Sequence, residues 1–362
     1  MDIPVFRYMA WAKANQGRAK YPLLLSGVPA PSLADLGLGS DAVQLSRPHT
    51  PKPDEGLASA VSARYGAPAE CVMPACGTHH ANFLLARVLA GPGTKVLVET
   101  PNYEDVPGVF KVVGAEVTLF HRRPEEGWRL PIAEIRRGLA SGARVVAVTD
   151  LHNPGGAHLQ PDDLAALEAA GREFEATILV DEVYRDFLPP PIGTCFLPGG
   201  PFVVTSSLTK VYGFGDLRIG WALAQPDLVA RMRDLNDYVV VNMPAPSASI
   251  ALAAWDRLDG IAARNREFAA RNLRIANAWV RGRKDLRWCP PDGGISGFVQ
   301  AQRLEGKDDV AWVEGLLSET GVGVVPGTMF GAPGGFRLGF GCPTELLEEG
   351  LTLLAAHLDR TR

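Results

Sequence analysis

Short apolar runs, spaced by stretches long enough to be helices, restrict this chain to very few architectures. Lys95-Val-Leu-Val-Glu99 reads as a short buried strand, and Glu116 to Phe120, Arg144 to Thr149, Thr177-Ile-Leu-Val-Asp181, Phe202-Val-Val-Thr205 and Ile219 to Ala224 read as further short apolar strands. Ala81 to Leu89 and Pro131 to Leu139 read as helices, and Pro161-Asp-Asp-Leu opens another, with proline in its first turn and carboxylates at its positive end. Strands that are apolar throughout are covered on both faces, and helical crossovers between them make βαβ units. The fold class is therefore α/β, a large domain with a mainly parallel mixed sheet flanked by helices. The tail differs. A long helix from about Ala262 to Arg281 precedes isolated strands at Gly297 to Ala301, Val322 to Val325 and Phe336 to Phe340, with helices at Val310 to Leu317 and Glu345 to His357. This predicts a smaller α+β domain. The expected division is 1–45 as N-terminal arm and part of the small domain, 46–255 as the large domain and 256–362 as the C-terminal small domain.

Composition excludes several classes. With 362 residues, 46% apolar and 21% charged, the chain has the profile of a soluble globular protein. A formal net charge of −4 offers no electrostatic case for nucleic acid or an anionic membrane. No apolar run approaches the roughly 18 residues of a membrane span, and Met1-Asp2-Ile3-Pro4 lacks the basic and apolar regions of a secretory signal. Cys71, Cys76, Cys195, Cys289 and Cys342 are odd in number and scattered, with no Cys-x-x-Cys, so reduced thiols, a cytoplasmic setting and no metal centre are expected.

The chemistry centres on a lysine. Of eight lysines, Lys210 alone follows a buried strand, in Phe202-Val-Val-Thr-Ser-Ser-Leu-Thr-Lys210. Desolvation there favours the neutral amine, the nucleophile that forms an imine with an aldehyde. Taken alone, a strand-end lysine reaching back to water is the simpler reading. Its surroundings shift the balance. Ser206, Ser207 and Thr209 supply hydroxyls, and Arg218 lies eight residues on, in Gly-Asp-Leu-Arg218-Ile-Gly220. Hydroxyls and an arginine make a phosphate site beside an aldehyde site, and pyridoxal 5′-phosphate carries both groups. Gly213-Phe-Gly215-Asp-Leu-Arg218 is no dinucleotide loop, because Arg218 stands where a third small residue is needed.

Ser207-Leu-Thr-Lys210 with Arg218 and Gly220 resembles the lysine signature of class I/II aminotransferases. These are pyridoxal-phosphate enzymes of fold-type I, the aspartate aminotransferase-like superfamily, and the family's other landmarks follow in order from Gly27 to Gly341. The resemblance implies a role for each. The backbone of Gly77 to His79 and the Thr78 hydroxyl, opening a helix, would hold the cofactor phosphate; Thr78 as a mere helix cap is the alternative. His79 and His80, adjacent on a helix, point apart and do not suggest a metal. Tyr103 would stack on the pyridine ring. Asn153, in Leu151-His152-Asn153-Pro154-Gly155-Gly156, and Tyr184 would bond the phenolic oxygen. Asp181, a buried carboxylate in need of a cation, would keep the pyridine nitrogen protonated. Arg337 would take the substrate α-carboxylate in its planar fork, with Gly27 in the arm that closes over the substrate.

Two departures stand out. Arg47 to Gly56 lacks the tyrosine expected to reach a neighbouring subunit's phosphate, with His49 the nearest substitute, and Phe6 to Tyr21 matches nothing in the family pattern. The expected activity is an aminotransferase, moving an amino group between an L-amino acid and a 2-oxo acid through a Lys210 Schiff base. Lyases, decarboxylases, racemases and cyclising synthases share the constellation; a non-catalytic effector-binding module is the remaining alternative. A lone carboxylate-binding arginine argues against an obligate dicarboxylate substrate. A homodimer is implied by the family.

Overall fold

The computed structural model describes residues 3–15, 17–46, 53–191 and 193–360. Its larger sheet has seven strands: β1 (Val72–Ala75), β2 (Lys95–Thr100), β3 (Glu116–His121), β4 (Val145–Thr149), β5 (Thr177–Asp181), β6 (Phe202–Ser207) and β7 (Gly220–Leu223), in the order β1-β7-β6-β5-β4-β2-β3. β6, β5, β4, β2 and β3 run parallel, whereas β7 is antiparallel to both of its neighbours. The reversal of β7 has a geometric result. The ends of β1, β2, β4, β5 and β6 and the start of β7 all open on one rim. Ligands of open α/β sheets bind outside the carboxyl ends of the parallel strands, so the topology alone marks this rim.

Both faces of the sheet's interior are covered, so the middles of the inner strands are apolar on both sides, with the polar residues gathered at their ends and on β3. Val145, Ala147, Leu179, Val203 and Ala222 face one side, where they meet helices α3 (Thr78–Leu89), α4 (Asp105–Val112) and α7 (Pro226–Asn236) through Leu84, Leu85, Phe110 and Met232. Val146, Val148, Ile178, Val180, Val204 and Leu223 face the other side and join the larger core with α2 (Pro53–Tyr65), α5 (Ile132–Ala140), α6 (Pro161–Glu173) and α8 (Ala245–Ala254). Ala81, Leu84, Leu85 and Val88 of α3 recur at helical spacing and are all buried. Each such leucine contributes about 1.5–3 kcal/mol on leaving water. α6 begins at Pro161 as its sequence predicts, with the Gln160 N–H donating to Asp163 Oδ2 at 3.0 Å.

The second sheet is antiparallel, in the order β10-β11-β9-β8: β8 (Leu286–Arg287), β9 (Ser296–Ala301), β10 (Val325–Pro326) and β11 (Gly335–Gly339). The helices of the tail are α9 (Leu258–Arg281), α10 (Asp309–Thr320) and α11 (Thr344–Arg360). The strand expected at Val322 to Val325 is shorter than read. Val322 bridges Tyr21 instead, and only Val325 and Pro326 pair with β11. That bridge begins a strap. The Gly339 N–H donates to Leu23 O at 2.7 Å, and further along the Val28 N–H donates to Lys210 O at 3.3 Å. One continuous segment thus runs from the small sheet to the rim of the large one. Helix α1 (Arg7–Asn15) precedes it.

Candidate active site

A cavity of about 330 Å³ lies on the marked rim, and Lys210, Asp181, Tyr184, Thr78, His79, Tyr103, Asn153, Ser207, Arg218 and Arg337 all line it. Gly77 and Gly27 supply backbone beside it. The elements that deliver these side chains are far apart in sequence and adjacent only at the strand ends. Tyr103 follows β2, Asn153 follows β4, Asp181 ends β5, Ser207 ends β6, and Arg218 precedes β7.

Lys210 stands three residues beyond β6, on the turn rather than on the strand itself. Its Nζ donates to Ser26 Oγ at 2.7 Å. Desolvation, then the nearby Arg337 and Arg218, lower its pKa to about 8 against the pull of Asp181. The Tyr184 hydroxyl donates to Ser26 O at 2.8 Å, and burial raises its pKa. The strap therefore meets both groups at a single residue, Ser26. A Cβ at the next residue, Gly27, would lie 4.0 Å from Lys210 Cδ.

The acidic end is buried and lacks a strong cation. Asp181 accepts from the Val183 N–H at 3.0 Å and from Asn82 Nδ2 at 3.3 Å. Burial chiefly, with a smaller push from neighbouring Asp105, raises its pKa to about 7 against the pull of the two hydrogen bonds and of Lys210. Among the described residues no cation lies within ion-pair distance of Asp181, so the site is poised for a positive group.

The opposite end is a cradle of donors. Gly77 holds φ +79°, which requires glycine, and a Cβ there would sit 2.4 Å from Arg218 Nη2 and push the guanidinium away. Thr78 Oγ1 is buried without a partner, and no side-chain bond caps α3. An orphaned hydroxyl and free N–H groups at a helix N-terminus beside an arginine suit a phosphate; the simple cap reading of Thr78 fails. Ser207 and Thr209 face the cavity, but Ser206 points to the opposite face of β6 and donates to Glu182 O at 3.4 Å. Alternation along a strand dictates that split. The two histidines diverge. His80 Nδ1 accepts the Cys76 N–H at 3.0 Å, whereas His79 Nε2 lies 3.0 Å from the Tyr103 hydroxyl. Desolvation, followed by Lys210 and Arg218, lowers the His79 pKa to about 4.

Arg337, at the centre of β11, is 0% exposed. Its Nη2 donates to Leu24 O at 2.8 Å and to the Tyr8 hydroxyl at 3.2 Å, and its Nη1 donates to Asn153 Oδ1 at 3.3 Å. Its guanidinium lies 5.1 Å from the Phe330 ring and 5.8 Å from the Tyr8 ring. Nε has no partner, and no carboxylate among the described residues pairs with this arginine. A buried guanidinium without a counter-ion is a site for an anion.

Several lining residues carried no legible signal. Tyr8, Met9 and Ala12 of α1 wall the cavity, so the unexplained N-terminal segment is part of the site. Tyr8 packs edge-on against Tyr103 at 4.9 Å, and its N–H donates to Glu104 Oε2 at 2.8 Å. Ser26, Asn82 and Asp105 also escaped notice. Only the i,i+4 spacing of Thr78 and Asn82 could have flagged the asparagine. His49 lies outside the described residues.

A sheet of this topology, with a lysine, a buried aspartate and a phosphate cradle at its rim, defines a class: the pyridoxal-phosphate-dependent enzymes of fold-type I. The chain belongs to the aminotransferase class I and II family, whose model matches residues 49–354. It is 31% identical over 309 residues to capreomycidine synthase of Streptomyces vinaceus, covering 84% of this chain and 79% of that relative. A PLP-dependent aminotransferase from Streptococcus suis matches 100% of the chain and 99% of its own length, with a TM-score of 0.89 at 27% identity. The PLP-dependent cyclase OrfR gives a TM-score of 0.87 at 25% identity, over 100% of this chain and 99% of its own. Pyridoxal 5′-phosphate is the family's cofactor, and the cradle, the lysine and the uncompensated aspartate fit it.

Proposed function

We propose that this protein is an aminotransferase acting between an L-amino acid and a 2-oxo acid. One observation carries the reading: a lysine amine biased toward its neutral form and an arginine without a counter-ion share a single cavity. When bound, pyridoxal phosphate supplies an aldehyde that captures amines and a ring that accepts the electron pair left at a substrate α-carbon. Gly77, Thr78, His79, Ser207 and Arg218 would hold its phosphate, Tyr103 its ring face, Asp181 its ring nitrogen, and Asn153 and Tyr184 its phenolic oxygen. Arg337 binds the substrate carboxylate in its fork. Lys210 Nζ, aimed by Ser26 Oγ, takes the α-proton and delivers it again on the product side. Tyr8, Met9 and Ala12 exclude water from above. The rest of the wall, with Leu24 and Leu25, favours a substrate with one carboxylate.

A homodimer accompanies this reading. Tyr238, Val239 and Val241 expose 91%, 47% and 55% of their surface in one stretch, an apolar display that suits a second copy. A cytoplasmic setting is supported by the five cysteines, all free. No described helix is long and apolar enough to cross a membrane.

A cyclising synthase is the second reading, favoured by the likeness to capreomycidine synthase and to OrfR. Spectroscopy separates the two. An aminotransferase treated with its amino acid loses the visible band of the loaded protein, and a 2-oxo acid restores it. A cyclase recovers the band unaided and releases no 2-oxo acid. Lys210→Ala should lower turnover about a hundredfold or more; turnover at the parental rate would end both readings.

A further inference from the structure

Asn82 lies on α3 one turn beyond Thr78 and on the same face. It is 1% exposed, and every polar atom of its side chain is engaged. Thr205 Oγ1, the neighbour of Asp181 across the β5–β6 pair, donates to Asn82 Oδ1 at 2.8 Å. That bond fixes the amide's orientation and turns Nδ2 toward two carboxylates. Nδ2 donates to Asp105 Oδ2 at 2.9 Å and to Asp181 Oδ2 at 3.3 Å. Asp105 and Thr205 are 6% and 0% exposed. The nearest basic group to Asp105 is His79, whose Nε2 stands 3.8 Å from Oδ1.

Two buried carboxylates on one amide repel each other, and an arrangement of this kind persists only where something offsets the repulsion. Within hydrogen-bond reach the offset comes from the shared amide and the Val183 N–H; Lys210 pulls on Asp181 from further away, and desolvation keeps His79, 3.8 Å from Asp105, largely neutral. We propose that Asn82 is a positioning residue for the cofactor's ring nitrogen: its amide, locked by Thr205, holds Asp181 and Asp105 as a paired anionic end of the cavity that selects a protonated nitrogen heterocycle. Thr78 and Asn82 would then let a single helix present both the phosphate end and the nitrogen end. Burial raises the pKa of both carboxylic acids to about 7, in keeping with a pair that a bound cation relieves.

The inference rests on the reading of Asp181 as the ring-nitrogen partner, and the test keeps the two apart. Dissociation constants are measured for pyridoxal phosphate and for its 1-carba analogue, in which CH replaces the ring nitrogen. Four proteins are compared: the parent, Asn82→Leu, Thr205→Val and Asp181→Ala. The parent should prefer the nitrogen-bearing ligand. Asn82→Leu should lose about tenfold in affinity for pyridoxal phosphate and less than about twofold for the analogue. Thr205→Val, nearly isosteric, should shift the same preference in the same direction by a smaller factor and covers the case in which Asn82→Leu does not fold. Equal losses for both ligands, or an unchanged preference, would overturn the proposal while Asp181→Ala still abolishes the preference. An unchanged preference in Asp181→Ala would overturn the underlying reading and the proposal with it.

Discussion

Lys210 is one of eight lysines, and its distinction lies in what surrounds its tip rather than in its own chemistry. With its pKa lowered to about 8, the amine is mostly charged below that pH and mostly neutral above it. The sign follows directly: capture of pyridoxal phosphate by the cofactor-free protein should quicken as pH rises and level off above about 8. Rapid-mixing absorbance between pH 6 and 10 measures this. A rate still climbing through pH 10 would mean an ordinary exposed lysine. Lys210 and Asp181 stood out because each is a charged residue at or just beyond the end of an apolar strand, whereas Arg337 was singled out only through the family resemblance. Ser26 and Asn82 were not legible. Neutral polar residues break no pattern, and only the three-dimensional meeting with Lys210 or Asp181 gives them a task.

The interior parallel strands β4, β5 and β6 could be read nearly to the residue, because a strand buried on both faces leaves an apolar run, whereas the edge strand β3 is mostly exposed. β1 could not be read this way. It has four residues with Pro74 among them, and proline argues against a central strand. The structure resolves the conflict by placing β1 at the sheet's edge, where a missing N–H costs little. α1 was obscured for another reason. Its sequence, Arg-Tyr-Met-Ala-Trp-Ala-Lys-Ala-Asn, has only a weak apolar stripe, since a few large side chains, Tyr8 and Trp11, join the core while Tyr8, Met9 and Ala12 also wall the cavity. Tyr8→Phe tests its contribution. The ring stays against Tyr103 and Phe330, but the hydroxyl bonded to Arg337 is lost. Affinity for the amino donor, read from spectral titration, should fall about fivefold, the equivalent of about 1 kcal/mol. An unchanged affinity would make α1 a passive cover.

At the scale of the molecule, fold and family agree while the reaction stays with the site, since one fold hosts many chemistries. The cavity draws its walls from α1, the strap, the ends of five strands and β11, so whatever fills it joins parts of the chain remote in sequence. Removing the cofactor should therefore weaken the whole structure. At a hundredfold excess over its dissociation constant, a ligand adds about 2.7 kcal/mol by mass action. Calorimetry should show the loaded protein melting about 4 °C above the stripped one, and coincident melting curves would refute a cofactor site bridging the two sheets.

The strap gives this architecture a built-in tether. At one end it is pinned to the small sheet through Leu23, and at the other its Ser26 hydroxyl rests on the reactive amine. A change at Leu23 would be passed along three residues to the hydroxyl that receives the amine's hydrogen bond, so the small sheet and the reactive nitrogen are joined by one short length of backbone.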